Sequence, residues 1–319
     1  MYGKNDLKSK LTITDDTVSC PVLSCKTIVN RQKKSFKPTK EFLCNKHKIY
    51  ISPSTFEYCD ENDNFLWKSK EDLILWNNIK NVKRESRVLR DNSEDAITWN
   101  VFRFLEKNNL IPFVLGSQLN TEISKHELIY WSYDKQKEQS WDFLVKARKE
   151  FGEDIEKGSE PDLILVSDNT LFFIEAKFKS PNKTKPSTNN PKKYLSGGSN
   201  LYYKVFKLDY PEIAVKRQKY ELLRFWLLGS WIAQEMNLKF SLVNLVLSNE
   251  ENNIEKEFND CIILSENSKF TRLTWESIYH NIMKSKFEGP DKLIISDYFN
   301  NKVKGYNSNG VLQGGFSLI

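Results

Sequence analysis

The chain has 319 residues, of which 39% are apolar and 13% aromatic, enough for one large domain or two modest ones with a sizeable core. No apolar run approaches the roughly 20 residues of a membrane-spanning helix, and the polar N-terminus has no hydrophobic leader, so a soluble cytoplasmic protein with no membrane partner is expected. The formal charge of +6 is uneven: residues 1–90 hold 18 basic against 11 acidic side chains, and the rest is close to neutral.

Four of the five cysteines fall in the first 60 residues. An odd count in a chain of this kind argues for a metal rather than a disulfide framework. Cys20 and Cys25 form one close pair and Cys44 and His47 a second, separated by a loop. Each pair can present two ligands from a turn, and thiolates with imidazole are the tetrahedral set that structural zinc prefers. Cys59 is the alternative fourth ligand to His47. The loop between the pairs carries Arg31, Lys33, Lys34, Lys37 and Lys40, which suit phosphates. Residues 49–58 read as a strand and turn that finish this module.

Apolar spacing at Leu73, Leu75, Trp76 and Ile79 predicts a helix within 66–79, followed by a basic connector over 83–90. Asn92 or Ser93 then caps a helix over 93–105, with Glu94 and Asp95 in its first turn and an apolar stripe of Ala96, Ile97, Val101, Phe104 and Leu105. Residues 110–116 are a short apolar run ending in Gly116. Glu127–Asp134 reads as a strand, Ser140–Phe151 as a helix, and Gly158-Ser159 as the lead into a hairpin.

That hairpin comprises the apolar runs Leu163–Val166 and Leu171–Ile174, joined by the turn-forming residues Ser167-Asp168-Asn169-Thr170. Asp162 opens the first strand, and Glu175 and Lys177 close the second. Strand alternation puts Glu175 and Lys177 on one face, and antiparallel pairing brings them beside Asp162, with Ala176 turned into the core. Two carboxylates at a sheet end form a hard-oxygen site suited to Mg²⁺ or Mn²⁺. A lysine beside it can hold or activate water or neutralise charge in a transition state.

Pro161-Asp162, twelve intervening residues and Glu175-Ala176-Lys177 resemble the signature of the PD-(D/E)XK, or restriction-endonuclease-like, nucleases. The resemblance covers about residues 90–285. It implies an α/β fold with a mixed sheet and an αβββαβ core, preceded here by a small zinc-finger-like module outside that core. It implies that Asp162 and Glu175 hold Mg²⁺ or Mn²⁺ with the Ala176 carbonyl, and that Lys177 positions or activates water. An acid of the first core helix faces the metal in this family, which points to Glu94, with Asp95 as the alternative.

After Lys177, residues 181–200 are rich in Pro, Asn, Lys, Ser and Gly and read as a long flexible loop whose Lys179, Lys183, Lys185, Lys192 and Lys193 would suit DNA phosphates. Glu212–Glu235 is the strongest helical pattern. The resemblance makes it the second core helix, where Arg217, Gln218 and Tyr220, then Arg224, are the supporting candidates. Phe240–Leu247 is the next core strand, reached by a βαβ crossover. Cys261–Leu264 reads as a further edge strand, residues 274–280 as the start of a helix, and the tail after Gly305 carries no motif.

The expected organisation is a basic zinc module over 1–68, a helical connector over 69–91, a nuclease domain over 92–290 and an extension over 291–319. The expected activity is Mg²⁺-dependent hydrolysis of DNA, of a restriction or phage-defence type, with structural Zn²⁺ in the N-terminal module. Two-strand cleavage would call for a homodimer, and restriction or defence would call for a methylase or defence-system partner. Two alternatives stay open: a binding protein on a nuclease-like scaffold, and a nuclease directed at RNA.

Overall fold

The structure is a computed structural model that describes residues 1–155, 158, 160–187 and 190–318. Ser159, Thr188 and Asn189, parts of the expected hairpin lead and loop, lie outside the described residues. In chain order the elements are β1 (Thr17–Ser19), β2 (Ile28–Asn30), β3 (Leu43–Cys44), β4 (Ile49–Ile51), β5 (Phe56–Tyr58), α1 (Lys70–Val82), α2 (Glu94–Lys107) and α3 (Ile111–Leu119). There follow β6 (His126–Tyr130), β7 (Tyr133–Asp134), β8 (Gln139–Ser140), α4 (Asp142–Glu150), β9 (Leu163–Ser167), β10 (Thr170–Ala176), α5 (Lys192–Asn200) and α6 (Tyr202–Val205). The chain finishes with α7 (Tyr220–Glu235), β11 (Lys239–Val246), α8 (Ile254–Asn259), β12 (Ser268–Thr274), α9 (Trp275–Lys284), α10 (Pro290–Asn301), β13 (Val303–Tyr306) and β14 (Leu312–Gly314). No helix among the described residues is long and apolar enough to cross a membrane.

These elements form two compact units, each discontinuous in sequence. The first comprises residues 1–69, 86–110 and 278–319, the second residues 70–85 and 111–277. In the first, β1–β2, β3–β4–β5 and β13–β14 are small antiparallel sheets. The N-terminal segment and the C-terminal hairpin share one core, with Leu7, Leu11, Val18, Ile49 and Ile51 packed together with Val303 and Tyr306. The N-terminal module and C-terminal extension expected as separate segments therefore fold together. The tail after Gly305, unmarked by any motif, is half of a hairpin whose Gly305 has φ +100 and passes so close to the Ser54 carbonyl that a Cβ would sit 2.2 Å from it. Ser93 caps α2 as expected, its Oγ accepting from Ala96 N at 3.4 Å.

The second unit is a mixed α/β layer. Its sheet runs in the order β12-β11-β10-β9-β6-β7-β8. β6, β9 and β10 form an antiparallel meander, while β10, β11 and β12 are parallel, connected through α7 and α8. The core lies between sheet and helices, with Phe173, Phe225, Trp226, Phe240 and Leu242 at its centre. Gly229 lets α7 approach β11 closely, since a Cβ there would lie 2.1 Å from the Phe240 ring.

Three local expectations differ from the structure. The strand expected over 127–134 breaks at Trp131 and Ser132, which adopt φ 43 and 66, so β6 turns back into β7. Residues 192–200 form α5, kinked at Gly197–Ser199, rather than loop. The edge strand is β12, not Cys261–Leu264: Cys261 and Ile262 are buried under the helices, and Ile262 makes only an isolated bridge to Phe206.

The helix expected over 212–235 is also interrupted. Pro211–Lys216 is a π-helical turn, and Gln218 adopts φ +56 before α7 begins at Tyr220. The cause is Thr184, which bridges Lys219: its N–H donates to the Gln218 carbonyl at 2.8 Å and its carbonyl accepts from Tyr220 N at 3.2 Å. The backbone groups that would continue a helix through Gln218 are spent on another segment.

Candidate functional site

In the second unit the hairpin forms as its turn chemistry requires. Ser167 Oγ donates to the Thr170 carbonyl at 2.9 Å and accepts from Thr170 N at 3.3 Å, closing the turn at Asp168-Asn169. Ile174 pairs with Leu163, so the next residues outward on the two strands are Glu175 and Asp162. Asp162 is fixed on both oxygens: Oδ1 accepts from Trp131 Nε1 at 3.0 Å and Oδ2 from Ala176 N at 2.8 Å. The turn at Trp131 that ended β6 early is what aims its indole at Asp162. Upstream, Glu160 is held by Arg148 at 3.6 Å and by Arg84 N at 3.3 Å, which anchors the approach to Pro161 and Asp162.

Glu175 is buried at 4% exposure. Burial pushes its carboxyl well above the ordinary carboxylate range; Lys177 opposes this, and the charges of Asp162 and Glu221 add to it. Lys177 Nζ donates to Glu175 Oε1 and lies 3.3 Å from Glu221 Oε2. The lysine thus bridges two carboxylates, one on β10 and one on α7. Its backbone is equally fixed, with N–H to the Leu245 carbonyl at 2.7 Å and C=O accepting from Trp275 Nε1 at 3.0 Å.

Glu221 is the residue the sequence did not single out. It sits in the first turn of α7, where the helix dipole favours an acid, and its N–H donates to Thr184 Oγ1 at 2.9 Å. Thr184 therefore caps α7 from a distant segment. An acid just inside a helix start was a signal, but it was hidden because the helix seemed to begin at Glu212.

The supporting candidates divide. Arg217 and Gln218 lie before α7, not on the single helix expected over 212–235. Arg217 Nε pairs with Glu212 at 3.2 Å and its Nη1 reaches Cys261 Sγ at 3.7 Å. Tyr220 bonds Tyr194 at 3.0 Å through their hydroxyls. Arg224 is bidentate to buried Glu153 at 2.7 and 2.5 Å, and Tyr194 donates to the same carboxylate at 2.8 Å. This network ties α7 to the segment after α4 and to α5. Glu94 belongs to the first unit as the first residue of α2, and Asp95 there accepts from Arg87 N at 2.8 Å.

The first unit holds the second cluster. The ligand atoms of Cys20, Cys25, Cys44 and His47 all lie within 4.8 Å of one another. Cys20 Sγ and Cys44 Sγ each stand 3.5 Å from His47 Nδ1, and Cys25 Sγ stands 3.9 Å from Cys44 Sγ. A tetrahedral zinc with bonds of about 2.3 Å to sulfur and 2.0–2.1 Å to nitrogen would separate S from N by about 3.5 Å and S from S by about 3.8 Å. The four side chains fit that ion and could hold a metal such as zinc. Turns shape both ligand pairs, with Cys25 N donating to the Val22 carbonyl at 3.2 Å and His47 N to the Cys44 carbonyl at 3.2 Å. Burial works against ionisation of Cys25, but its hydrogen bonding with the Thr27 side chain and backbone brings its thiol down to about 7. Cys59 is exposed and outside this group.

Among the described residues no other set of three or more Cys, His, Asp or Glu side chains converges in this way. The acidic hairpin offers hard-oxygen donors with Lys177 between two of them, rather than a closed cage. Comparison with known proteins gives no match: no family model, no curated protein and no solved structure matches the chain.

Proposed function

We propose that the chain is a divalent-metal-dependent nuclease of the PD-(D/E)XK type that hydrolyses DNA phosphodiester bonds. The observation that carries this reading is the meeting of Asp162, Glu175 and Lys177 where β9 begins and β10 ends. The antiparallel meander followed by a helical crossover to parallel β11 supports it, because that is the strand order the resemblance implies.

Asp162 and Glu175 would hold Mg²⁺ or Mn²⁺, with the Ala176 carbonyl as a third oxygen. The donor set fits a hard cation, and buried Glu175 has the electrostatic need for one. The ion would supply Lewis-acid polarisation of the phosphate and a more acidic bound water. The chain supplies the rest. Trp131 and the Ala176 N–H hold Asp162 so that it does not rotate away. Lys177 brings a proton donor and a positive charge beside Glu175, able to orient water or to offset charge building on phosphate oxygens. Exposed Lys33, Lys34, Lys37 and Lys40 in the first unit and Lys179, Lys183, Lys185 and Lys192 in the second give each unit basic surface for a polyanion.

The Lys177–Glu175–Glu221 ion triad would also serve a binding-only scaffold, as a cross-link between β10 and α7. Cleavage of supercoiled plasmid and of an RNA of equal length, with Mg²⁺, Mn²⁺ or EDTA, separates the readings. Metal-dependent nicking of DNA that falls at least about a hundredfold in Lys177→Ala is the expected result. Retention of DNA in a gel shift with no cutting under any metal would favour the binding-only scaffold, and preferential cutting of RNA would change the substrate.

A further inference from the structure

We propose that Glu221 is a positioning residue that takes over Lys177 when Glu175 turns to a divalent cation. This rests on the metal-dependent reading of the hairpin. The starting point is an electrostatic conflict. Lys177 Nζ already occupies one oxygen of Glu175, and Glu175 is the more buried of the two carboxylates proposed to hold the ion. A cation arriving at Glu175 competes with the ammonium for the same carboxylate. A lysine only 15% exposed that gave up Glu175 beside a divalent ion would need another carboxylate to hold its charge.

Glu221 resolves the conflict. Its Oε2 lies 3.3 Å from the same Nζ, on an element other than the hairpin. A small side-chain rotation can therefore carry Lys177 from Glu175 to Glu221 without leaving it unpaired. Glu221 is itself held in place: Thr184 Oγ1 accepts from its N–H, Thr184 bridges Lys219, and a second clamp fixes the same segment near Thr184. In that clamp Asn182 Nδ2 donates to Asn244 Oδ1 at 2.5 Å and to Glu251 Oε2 at 2.7 Å, and Asn182 N donates to Glu251 Oε1 at 2.8 Å. Asn244 stands on β11 directly beside Glu175 on β10. The segment after Lys177 is thus pinned at two points, one next to Glu175 and one at Glu221. The distance over which Lys177 is handed across is fixed by the fold.

The chemical consequence is that Lys177 would be held by Glu221 on α7, leaving both Asp162 and Glu175 for the metal. Before an ion binds, Lys177 offsets part of the negative charge of Glu175 and Glu221. Afterwards the same positive charge is available to a phosphate or a water.

The test is a double-mutant cycle read on Mn²⁺ affinity by calorimetry, using wild type, Lys177→Met, Glu221→Gln and the double variant. Lys177→Met, which removes the competitor, should tighten Mn²⁺ about tenfold; Glu221→Gln, which strands the lysine on Glu175, should weaken it about tenfold. Most of the Glu221→Gln loss should vanish in the Lys177→Met background, and Glu221→Asp should restore most of the affinity. An equal loss from Glu221→Gln in both backgrounds would make Glu221 a metal ligand and overturn the proposal. No loss in either background would overturn it as well. Absence of Mn²⁺ binding to wild type would remove both this proposal and the metal reading beneath it, whereas the expected coupling without any DNA cleavage would leave the hand-over standing and remove only the nuclease reading.

Discussion

The Cys/His cluster of the first unit and the acidic hairpin of the second both gather ionisable side chains, yet among the described residues only the first brings more than two metal-ligating side chains within 4.8 Å of one another. Cys20, Cys25, Cys44 and His47 are already spaced as a tetrahedral ion would space them. With four protein ligands that site has no open position, which suits a structural ion. At the hairpin, Lys177 stands between Glu175 and Glu221 and offsets part of their charge. A closed set suits a site that only has to hold the fold, whereas the ion and substrate site proposed at the hairpin would need a charge that it can move.

The largest expected effect falls on the closed cluster. If the cluster holds zinc, Cys44→Ser should lower zinc content per chain and destabilise the first unit by about 3 kcal/mol or more, while Cys59→Ser should change neither. If Cys59→Ser also lowers metal content, the cluster is wider than its four ligands. The buried network behind the hairpin comes next. Arg224→Met takes from buried Glu153 its bidentate cation and should cost about 3–5 kcal/mol in denaturant unfolding. A loss under about 1 kcal/mol would mean that the network is not what ties α7 in place.

A smaller effect of opposite sign is expected at Glu175. Its folded carboxyl titrates above the unfolded value because of burial, partly offset by Lys177. Its contribution to stability is therefore present below the ordinary carboxylate range and lost as pH rises through the raised value. At alkaline pH without divalent ions Glu175→Gln should melt above wild type, and the gap should shrink as the pH falls through the raised value and wild-type Glu175 takes up its proton. A variant less stable than wild type on both sides of that value would mean that the ion pair with Lys177 outweighs the burial. The smallest effect belongs to Thr184→Ala, which removes the hydroxyl accepting from Glu221 N and should cost about 1 kcal/mol, as the loss of a helix cap does.

Much of this was legible in the sequence, for identifiable reasons. Ser167-Asp168-Asn169-Thr170 between two apolar runs fixes a hairpin, and strand alternation then decides which side chains share its end. Close Cys/His pairs announce their cluster because turns bring short-range ligands together. What the sequence hid was set by distant segments. Thr184 interrupts the helical pattern at Gln218, moving Arg217 off α7 and making Glu221 an N-terminal residue. Gly197 and Gly198 read as loop, yet their lack of side chains is what lets the kinked α5 lie against Phe151. Ser268–Thr274 alternates too weakly to announce a strand, and becomes one by pairing in parallel with β11.

The most direct measurement is anomalous diffraction from crystals soaked in Mn²⁺. A single manganese peak bound by Asp162 and Glu175, with Lys177 Nζ turned to Glu221, is the result this account requires. A hairpin with no peak and Lys177 still on Glu175 at saturating Mn²⁺ would contradict it.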